Sequence, residues 1–194
     1  MSEDIPKTWL TADRLLEDSF RLARQIIAAD LRPTHIVGIW RGGAPVGIAV
    51  QELLAFHGIE ADHIAIRTSS YSGIDRQDKQ VRVFALGYLV DTLDPADRLL
   101  VIDDVFDSGR SIEAFLGELR SRCRHNMPRT VAIATVYWKP KRNQTELKPD
   151  FWVHECDDWL VFPHELCGLS DAEIRAHKPQ AGIVLGDELK GSLQ

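Results

Sequence analysis

Apolar and polar positions along this chain follow two different periods, and the switches between them lay out its elements. Over residues 11–30, Leu15, Leu16, Phe20, Leu22, Ala23, Ile26 and Ile27 recur at helical spacing, with Pro33 just beyond. A helix is expected there. The run His35-Ile-Val-Gly-Ile-Trp40 has the length and apolar character of a buried strand. Pro45 near the first turn and Gly58 past the end bracket a second helix, which carries Val46, Ile48, Ala49, Val50, Leu53 and Leu54. Further strands are expected at residues 63–67, 81–86, 98–102, 130–137 and 151–153, with a helix over residues 111–122 between two of them. Strands alternating with helices predict an α/β fold: a mainly parallel, doubly wound sheet covered by helices on both faces.

Two stretches break the alternation. Residues 68–80 are polar, lack a period and are long for a connection inside a compact domain, so they are a candidate mobile lid. Residues 139–149 are also irregular and lead into the aromatic-rich segments Phe151-Trp152 and Trp159-Leu-Val-Phe-Pro163. The tail over residues 182–194 has no strong pattern.

Composition narrows the class. A chain of 194 residues that is 44% hydrophobic and 27% charged suits a single domain with a substantial core. The net charge of -6, with basic residues scattered rather than gathered in a stripe, argues against nucleic acid as the main partner. Any anionic substrate must therefore be held by local devices. No apolar run has the length of a membrane span, and the opening Met-Ser-Glu-Asp-Ile-Pro lacks the order of a signal peptide, so a cytoplasmic location without membrane attachment is expected. Cys123, Cys156 and Cys167 form no Cys-x-x-Cys pair and are expected to be free thiols. His154, Cys156, His164 and Cys167 do not have paired-ligand spacing, so they are read as polar residues facing solvent rather than a zinc site.

The chemistry concentrates in residues 99–111, Leu-Leu-Val-Ile-Asp-Asp-Val-Phe-Asp-Ser-Gly-Arg-Ser, where an apolar strand ends in two carboxylates and turns through small residues into an amphipathic helix. The amides of Asp107, Ser108, Gly109 and Arg110, with the Ser108 and Ser111 hydroxyls, would line a helix start that favours a phosphate. Asp103 and Asp104 cannot themselves bind an anion. They make sense beside one if they hold vicinal hydroxyls or a magnesium ion. A second loop, Trp40-Arg41-Gly42-Gly43, joins the first strand to the second helix, and its glycines allow close backbone approach while Arg41 offers a charged fork. At the carboxyl edge of an open α/β sheet the two loops would form one ligand site.

Residues 99–111 resemble, almost position for position, the phosphoribosyl-diphosphate signature of type I phosphoribosyltransferases. Lys139-Pro140 after a strand, the later Trp159-Leu160-Val-Phe-Pro163 and the Ser69-Ser70-Tyr71 opening of the polar stretch are similar to the 6-oxopurine branch, the xanthine-guanine and hypoxanthine enzymes. Four ordered motifs between about residues 40 and 165 carry the resemblance. It implies one phosphoribosyltransferase domain over residues 1–194, with a small hood mainly within residues 138–194. It implies transfer of 5-phosphoribosyl from its 1-diphosphate to hypoxanthine, guanine or xanthine, with Mg2+, in a homodimer or homotetramer.

Carried onto this sequence, the resemblance gives Arg41, Gly42 and Gly43 to the diphosphate, in a loop whose opening peptide, Trp40-Arg41 here, can be cis. Ser108, Gly109, Arg110 and Ser111 fall to the 5-phosphate, Ser70 and Tyr71 to the substrate-covering lid, and Asp103 and Asp104 to the ribose hydroxyls, with Asp104 also at the metal. Asp107 would meet purine N7 as acid or base, Lys139 would donate to the 6-oxo group, Trp159 would stack on the base and Leu160 would read its edge through the backbone. A donor-only ammonium at Lys139 accepts a 6-oxo group and opposes the amino group of adenine. Arg110 and the segment His164-Glu-Leu-Cys-Gly-Leu-Ser170 depart from the branch pattern, which leaves the preference at the purine 2-position open. A phosphoribosyltransferase for a pyrimidine base and a regulatory protein sensing phosphoribosyl diphosphate are the alternatives. Lys139 with Trp159 weighs against the first, and the acidic balance against the second.

Overall fold

The computed structural model describes residues 7–71, 80–178 and 181. Its elements in chain order are β1 (Lys7–Trp9), α1 (Ala12–Ala28), β2 (His35–Trp40), α2 (Gly43–Phe56), β3 (Asp62–Tyr71), β4 (Gln80–Val83), α3 (Gly87–Thr92), β5 (Arg98–Phe106), α4 (Arg110–Cys123), β6 (Thr130–Trp138), β7 (Phe151–Glu155), β8 (Trp159–Val161) and α5 (Asp171–His177). No helix among the described residues is long and apolar enough to cross a membrane.

The chain divides into two compact units, residues 13–157 and residues 1–12 with 158–194. The larger holds a six-stranded sheet in the order β4-β3-β2-β5-β6-β7. Every pairing is parallel except β3 with β4. The sheet is therefore the mainly parallel α/β arrangement that the alternation predicts. The chain steps from β2 through α2 to β3 on one side, then returns so that β5 lies on the other side of β2. This reversal is the topological switch point, where the loops leaving two neighbouring strands diverge and open a crevice at the carboxyl edge.

The core of this unit is apolar and continuous. Val37 and Ile39 of β2, Ile66 of β3 and Leu99 and Val101 of β5 pack with Leu86 and Leu89, and with Ile112, Phe115, Leu116 and Leu119 along one side of α4. Those α4 positions repeat at three and four residues, so a single stripe of the helix faces the sheet.

Several element boundaries differ from the sequence expectation. β5 runs on through Asp103 and Asp104 to Phe106, because its ladder with β6 continues to the pair Phe106 and Trp138. Residues 68–71, expected in the lid, form strand ladder with β4, and β4 covers residues 80–83 rather than 81–86. The rest of the expected lid, residues 72–79, lies outside the described residues, as do the side chains of Ser70 and Tyr71 and the tail over residues 182–194. α3, β1, β8 and α5 were not foreseen, being three to seven residues long and too short to display a period.

His154 also departs from the solvent-facing expectation. Its Nε2 lies 2.9 Å from Asp18 Oδ2, and its ring stacks on Tyr137 at 5.0 Å between centroids. Asp18 is buried in α1 and also meets Arg21 at 3.0 Å and Arg14 at 3.7 Å. Cys123, Cys156 and Cys167 form no disulfide, as expected.

The smaller unit pairs β1 with β8 in parallel, Thr8 opposite Leu160. Its α5 opens with a reciprocal cap in which Ser170 Oγ accepts from the Glu173 amide and the Glu173 carboxylate accepts from the Ser170 amide. Lys178 is buried and donates to the carbonyls of Phe162 and Pro163 at 2.5 and 3.2 Å.

Candidate active site

At the switch point the β2–α2 loop and the end of β5 are in contact. Gly42 lies so close to Asp104 that a Cβ on it would fall 1.8 Å from Asp104 Oδ2. A Cβ on Gly43 would stand 2.4 Å from the Ile102 carbonyl oxygen and 3.0 Å from Asp103 Cα. A side chain at Gly43 would have to displace the main chain of β5, and one at Gly42 the carboxylate of Asp104. The peptide between Trp40 and Arg41 is cis, the bond the family resemblance implies, and Trp40 and Arg41 are exposed beside it.

Asp103 and Asp104 follow one another on β5, yet both are drawn in by short backbone bonds. Asp103 Oδ1 accepts from the Asp104 amide at 2.9 Å, and Asp104 Oδ1 accepts from the Val105 amide at 2.8 Å. The Gly43 amide also donates to Asp103. Burial, with the Asp104 charge alongside, pushes the Asp103 carboxyl well above the usual carboxylate range. Two adjacent carboxylates that resist ionising together call for a cation or for hydroxyl donors.

The chain then turns through Asp107, Ser108 and Gly109, the last in the left-handed region at φ 76°, and starts α4 with no side-chain cap. Asp103, Asp107, Ser108, Gly109, Ser111 and Ile112 line a hollow at this helix start. Gly109 also has no room for a side chain, because a Cβ would stand 2.5 Å from Thr145 Oγ1 and 3.0 Å from Asn143 Oδ1.

The irregular stretch after β6 is thus part of the site. The Lys139 amide donates to the Phe106 carbonyl and the Gln144 amide to the Ser108 carbonyl, both at 3.0 Å, which ties residues 139–144 along the loop. Lys139 is buried, and its Nζ lies 3.9 Å from Asp107 Oδ2. Arg142 Nε forms an ion pair with Asp107 Oδ1 at 2.7 Å. Sequence reasoning missed Arg142, although the basic run Lys139-Pro-Lys-Arg142 straight after an apolar strand is a visible signal.

The larger unit therefore brings together Arg41, Gly42, Gly43, Asp103, Asp104, Asp107, Ser108, Gly109, Arg110, Ser111 and Lys139, all on or beside the ends of β2, β5 and β6. Trp159 and Leu160 belong to the smaller unit, where Trp159 is 47% exposed and Leu160 is buried on β8.

A family model for the phosphoribosyl transferase domain matches residues 10–170. The chain belongs to that family. Its fold is the type I phosphoribosyltransferase fold, and membership makes the protein an enzyme of phosphoribosyl transfer. Among solved structures, a purine phosphoribosyltransferase from Pyrococcus horikoshii is 22% identical with a TM-score of 0.67, covering 84% of this chain and 97% of that one. A hypothetical protein from Neisseria gonorrhoeae with bound ppGpp is 21% identical with a TM-score of 0.71, covering 91% and 98%. The xanthine-guanine-hypoxanthine phosphoribosyltransferase of Helicobacter pylori is 21% identical with a TM-score of 0.61, covering 81% and 92%. At these identities the likeness is one of fold. No curated protein matches the chain.

Proposed function

We propose that the protein transfers 5-phosphoribosyl from 5-phosphoribosyl 1-diphosphate to a 6-oxopurine, giving a purine nucleoside monophosphate and diphosphate. The observation that carries this reading is the buried Lys139 ammonium standing 3.9 Å from Asp107, on the loop that also follows the Asp103 and Asp104 pair. A base presenting an acceptor and a ring N–H side by side along one edge, as a 6-oxopurine does with O6 and N7, matches a donor-only ammonium beside a carboxylate.

Phosphate recognition falls to the amides and hydroxyls of residues 108–111, where a helix start favours an anion. Diphosphate recognition falls to Arg41 and the glycine backbone of the β2–α2 loop. Asp103 and Asp104 take the ribose hydroxyls. The same pair fits magnesium, which is commonly bound through one or two carboxylates together with substrate oxygens. Bound there, the ion would offset both carboxylates and polarise the departing diphosphate.

In the transfer, the bond from ribose C1 to the diphosphate oxygen breaks and a bond from C1 to purine N9 forms. The N7 proton then passes to Asp107. The carboxylates stabilise positive charge that builds on the ribose as the leaving group departs. No protein nucleophile is needed. In this reading Trp159 stacks on the base, and Leu160 reads its edge. Ser70 and Tyr71 belong to a cover that excludes water, whose attack on the sugar diphosphate is the competing reaction. A single catalytic domain, a cytoplasmic site of action and assembly as a homodimer or homotetramer belong to the same proposal, and sedimentation equilibrium reads the last directly. A guanine nucleotide with a diphosphate, the ligand named for the gonococcal structure, would compete with the sugar diphosphate.

The test is to incubate the protein with the sugar diphosphate, magnesium and each of hypoxanthine, guanine, xanthine, adenine, uracil and orotate, and to separate the products by chromatography. Nucleotide from one or more of the first three is expected. Consumption of uracil or orotate alone would assign a pyrimidine enzyme, and sugar-diphosphate binding without turnover of any base would assign a sensor.

A further inference from the structure

Asp107 has two carboxylate oxygens, and each faces a different cation. Oδ1 lies 2.7 Å from Arg142 Nε, while Oδ2 faces Lys139 Nζ at the longer distance of 3.9 Å. The first is a close ion pair, and the second is an ion pair at the outer edge of contact.

Backbone bonds fix the arrangement on both sides. The Arg142 amide donates to the Lys139 carbonyl at 3.1 Å, and the Lys139 amide and Gln144 amide bond to the loop carbonyls on either side of Asp107. Asn143 then locks the turn, accepting from the Thr145 amide at 3.0 Å and donating to the Leu147 carbonyl at 2.7 Å. Arg142 is thus rigidly presented through its main chain, although its side chain is half exposed. A guanidinium offers donors only and does not serve as an acid or base.

We infer that Arg142 is a positioning residue for Asp107: by holding Oδ1 it turns Oδ2 toward Lys139, so that carboxylate and ammonium are set side by side to read N7–H and O6 of one base. This rests on the 6-oxopurine reading above and adds to it a residue that touches no substrate. A misplaced reacting group of about 1 Å costs on the order of 100-fold. Loss of the clamp therefore acts on the chemical step and not on the phosphate site, since Arg142 meets the carboxylate outside the residues 108–111 loop.

The experiment is a kinetic double-mutant cycle of Arg142→Gln and Asp107→Asn, with Arg142→Lys as the conservative variant and thermal melting as a check of folding. Wild-type turnover of hypoxanthine, guanine and xanthine is measured first, and its absence would overturn both the 6-oxopurine reading and the Arg142 role. With wild type active, Arg142→Gln is expected to lower kcat by roughly 10- to 100-fold with the KM for sugar diphosphate held within about twofold. Arg142→Lys should recover part of the loss. In the Asp107→Asn background, Arg142→Gln should cost almost nothing further, because its effect passes through the carboxylate. Additive losses, or a rise in the KM for sugar diphosphate in place of the fall in kcat, would overturn the positioning role while leaving the 6-oxopurine reading intact.

Discussion

Adding one methyl group at Gly42 and, separately, at Gly43 probes how the two loops of the site are fitted together. Both backbones suit alanine: Gly42 has φ -68° and ψ -29°, and Gly43 is the first residue of α2. The cost is therefore steric. At Gly43 the new Cβ meets main chain, 2.4 Å from the Ile102 carbonyl oxygen and 3.0 Å from Asp103 Cα, and neither can rotate aside. β5 and the start of α2 must separate, which puts Gly43→Ala at the upper end of the ~1 to 3 kcal/mol typical of overpacking. At roughly 2 to 4 °C per kcal/mol for a chain of this size, melting should fall by roughly 6 to 12 °C.

At Gly42 the new Cβ meets a side chain instead, 1.8 Å from Asp104 Oδ2 and 2.6 Å from Oδ1. That carboxylate can swing away by breaking its bond from the Val105 amide. The stability loss should be near the lower end, about 1 kcal/mol and about 2 to 4 °C. Ligand binding suffers instead. Asp104 leaves its place, and sugar-diphosphate affinity measured calorimetrically with magnesium should drop by at least about tenfold, equivalent to ~1.4 kcal/mol. Gly117→Ala is the control, because its Cβ meets nothing within 4 Å in the middle of α4. It should stabilise by about 0.5 to 1 kcal/mol, since glycine is a poor helix former. Wild-type affinity in Gly42→Ala, or a Gly43→Ala protein melting no lower than Gly42→Ala, would refute the reasoning.

Asp103→Asn should raise the melting temperature of the ligand-free protein while weakening magnesium-dependent sugar-diphosphate binding. Because the folded state holds the Asp103 carboxyl above its ordinary 3.8, the wild type loses stability as pH rises from there through the raised value, so the advantage of the variant should grow with pH over that window; a pH-independent difference would contradict this. Lys139→Gln should reduce discrimination against adenine and weaken hypoxanthine binding by ~1 to 3 kcal/mol, with sugar-diphosphate affinity little changed, as read by competition binding. Loss of sugar-diphosphate affinity with unaltered base affinity would move Lys139 to the phosphate site. Asp18→Asn should destabilise by about 1.5 to 3 kcal/mol in urea, because a buried carboxylate gives up its charged bonds to Arg21 and His154. A change below about 0.5 kcal/mol would show that the cluster adds little to stability.

Local periodicity carried much of the fold. β2 is found at His35–Trp40, as the apolar run predicts, and α1, α2 and α4 lie where the helical spacing puts them, because a buried stripe must repeat with the period of its own backbone. The acidic run and its small-residue turn were legible for the same local reason. A strand end, a left-handed Gly109 and a helix start are neighbours in the chain, so their chemistry could be read without knowing what packs on them. Elements too short to hold a period left no such trace. The strand ladders that lengthen β3 and β5 were equally invisible, since a pairing partner far along the chain keeps the polar residues 68–71 and 103–104 extended.

By itself, then, the amino-acid sequence determined the α/β class, the order of most elements and the residue types of the phosphate and carboxylate loops. Tertiary structure alone decided that β5 returns beside β2, so that Gly42 packs on Asp104 across 61 intervening positions in the numbering. It also decided that the irregular residues 139–144 fold along the turn after β5 and bring Lys139 and Arg142 to opposite oxygens of Asp107. The physical reason is range. Helix and strand patterns arise from side chains within a few residues of each other, whereas strand order, ion-pair partners and the fit of a glycine against a carboxylate depend on contacts between segments that meet only once the core has closed.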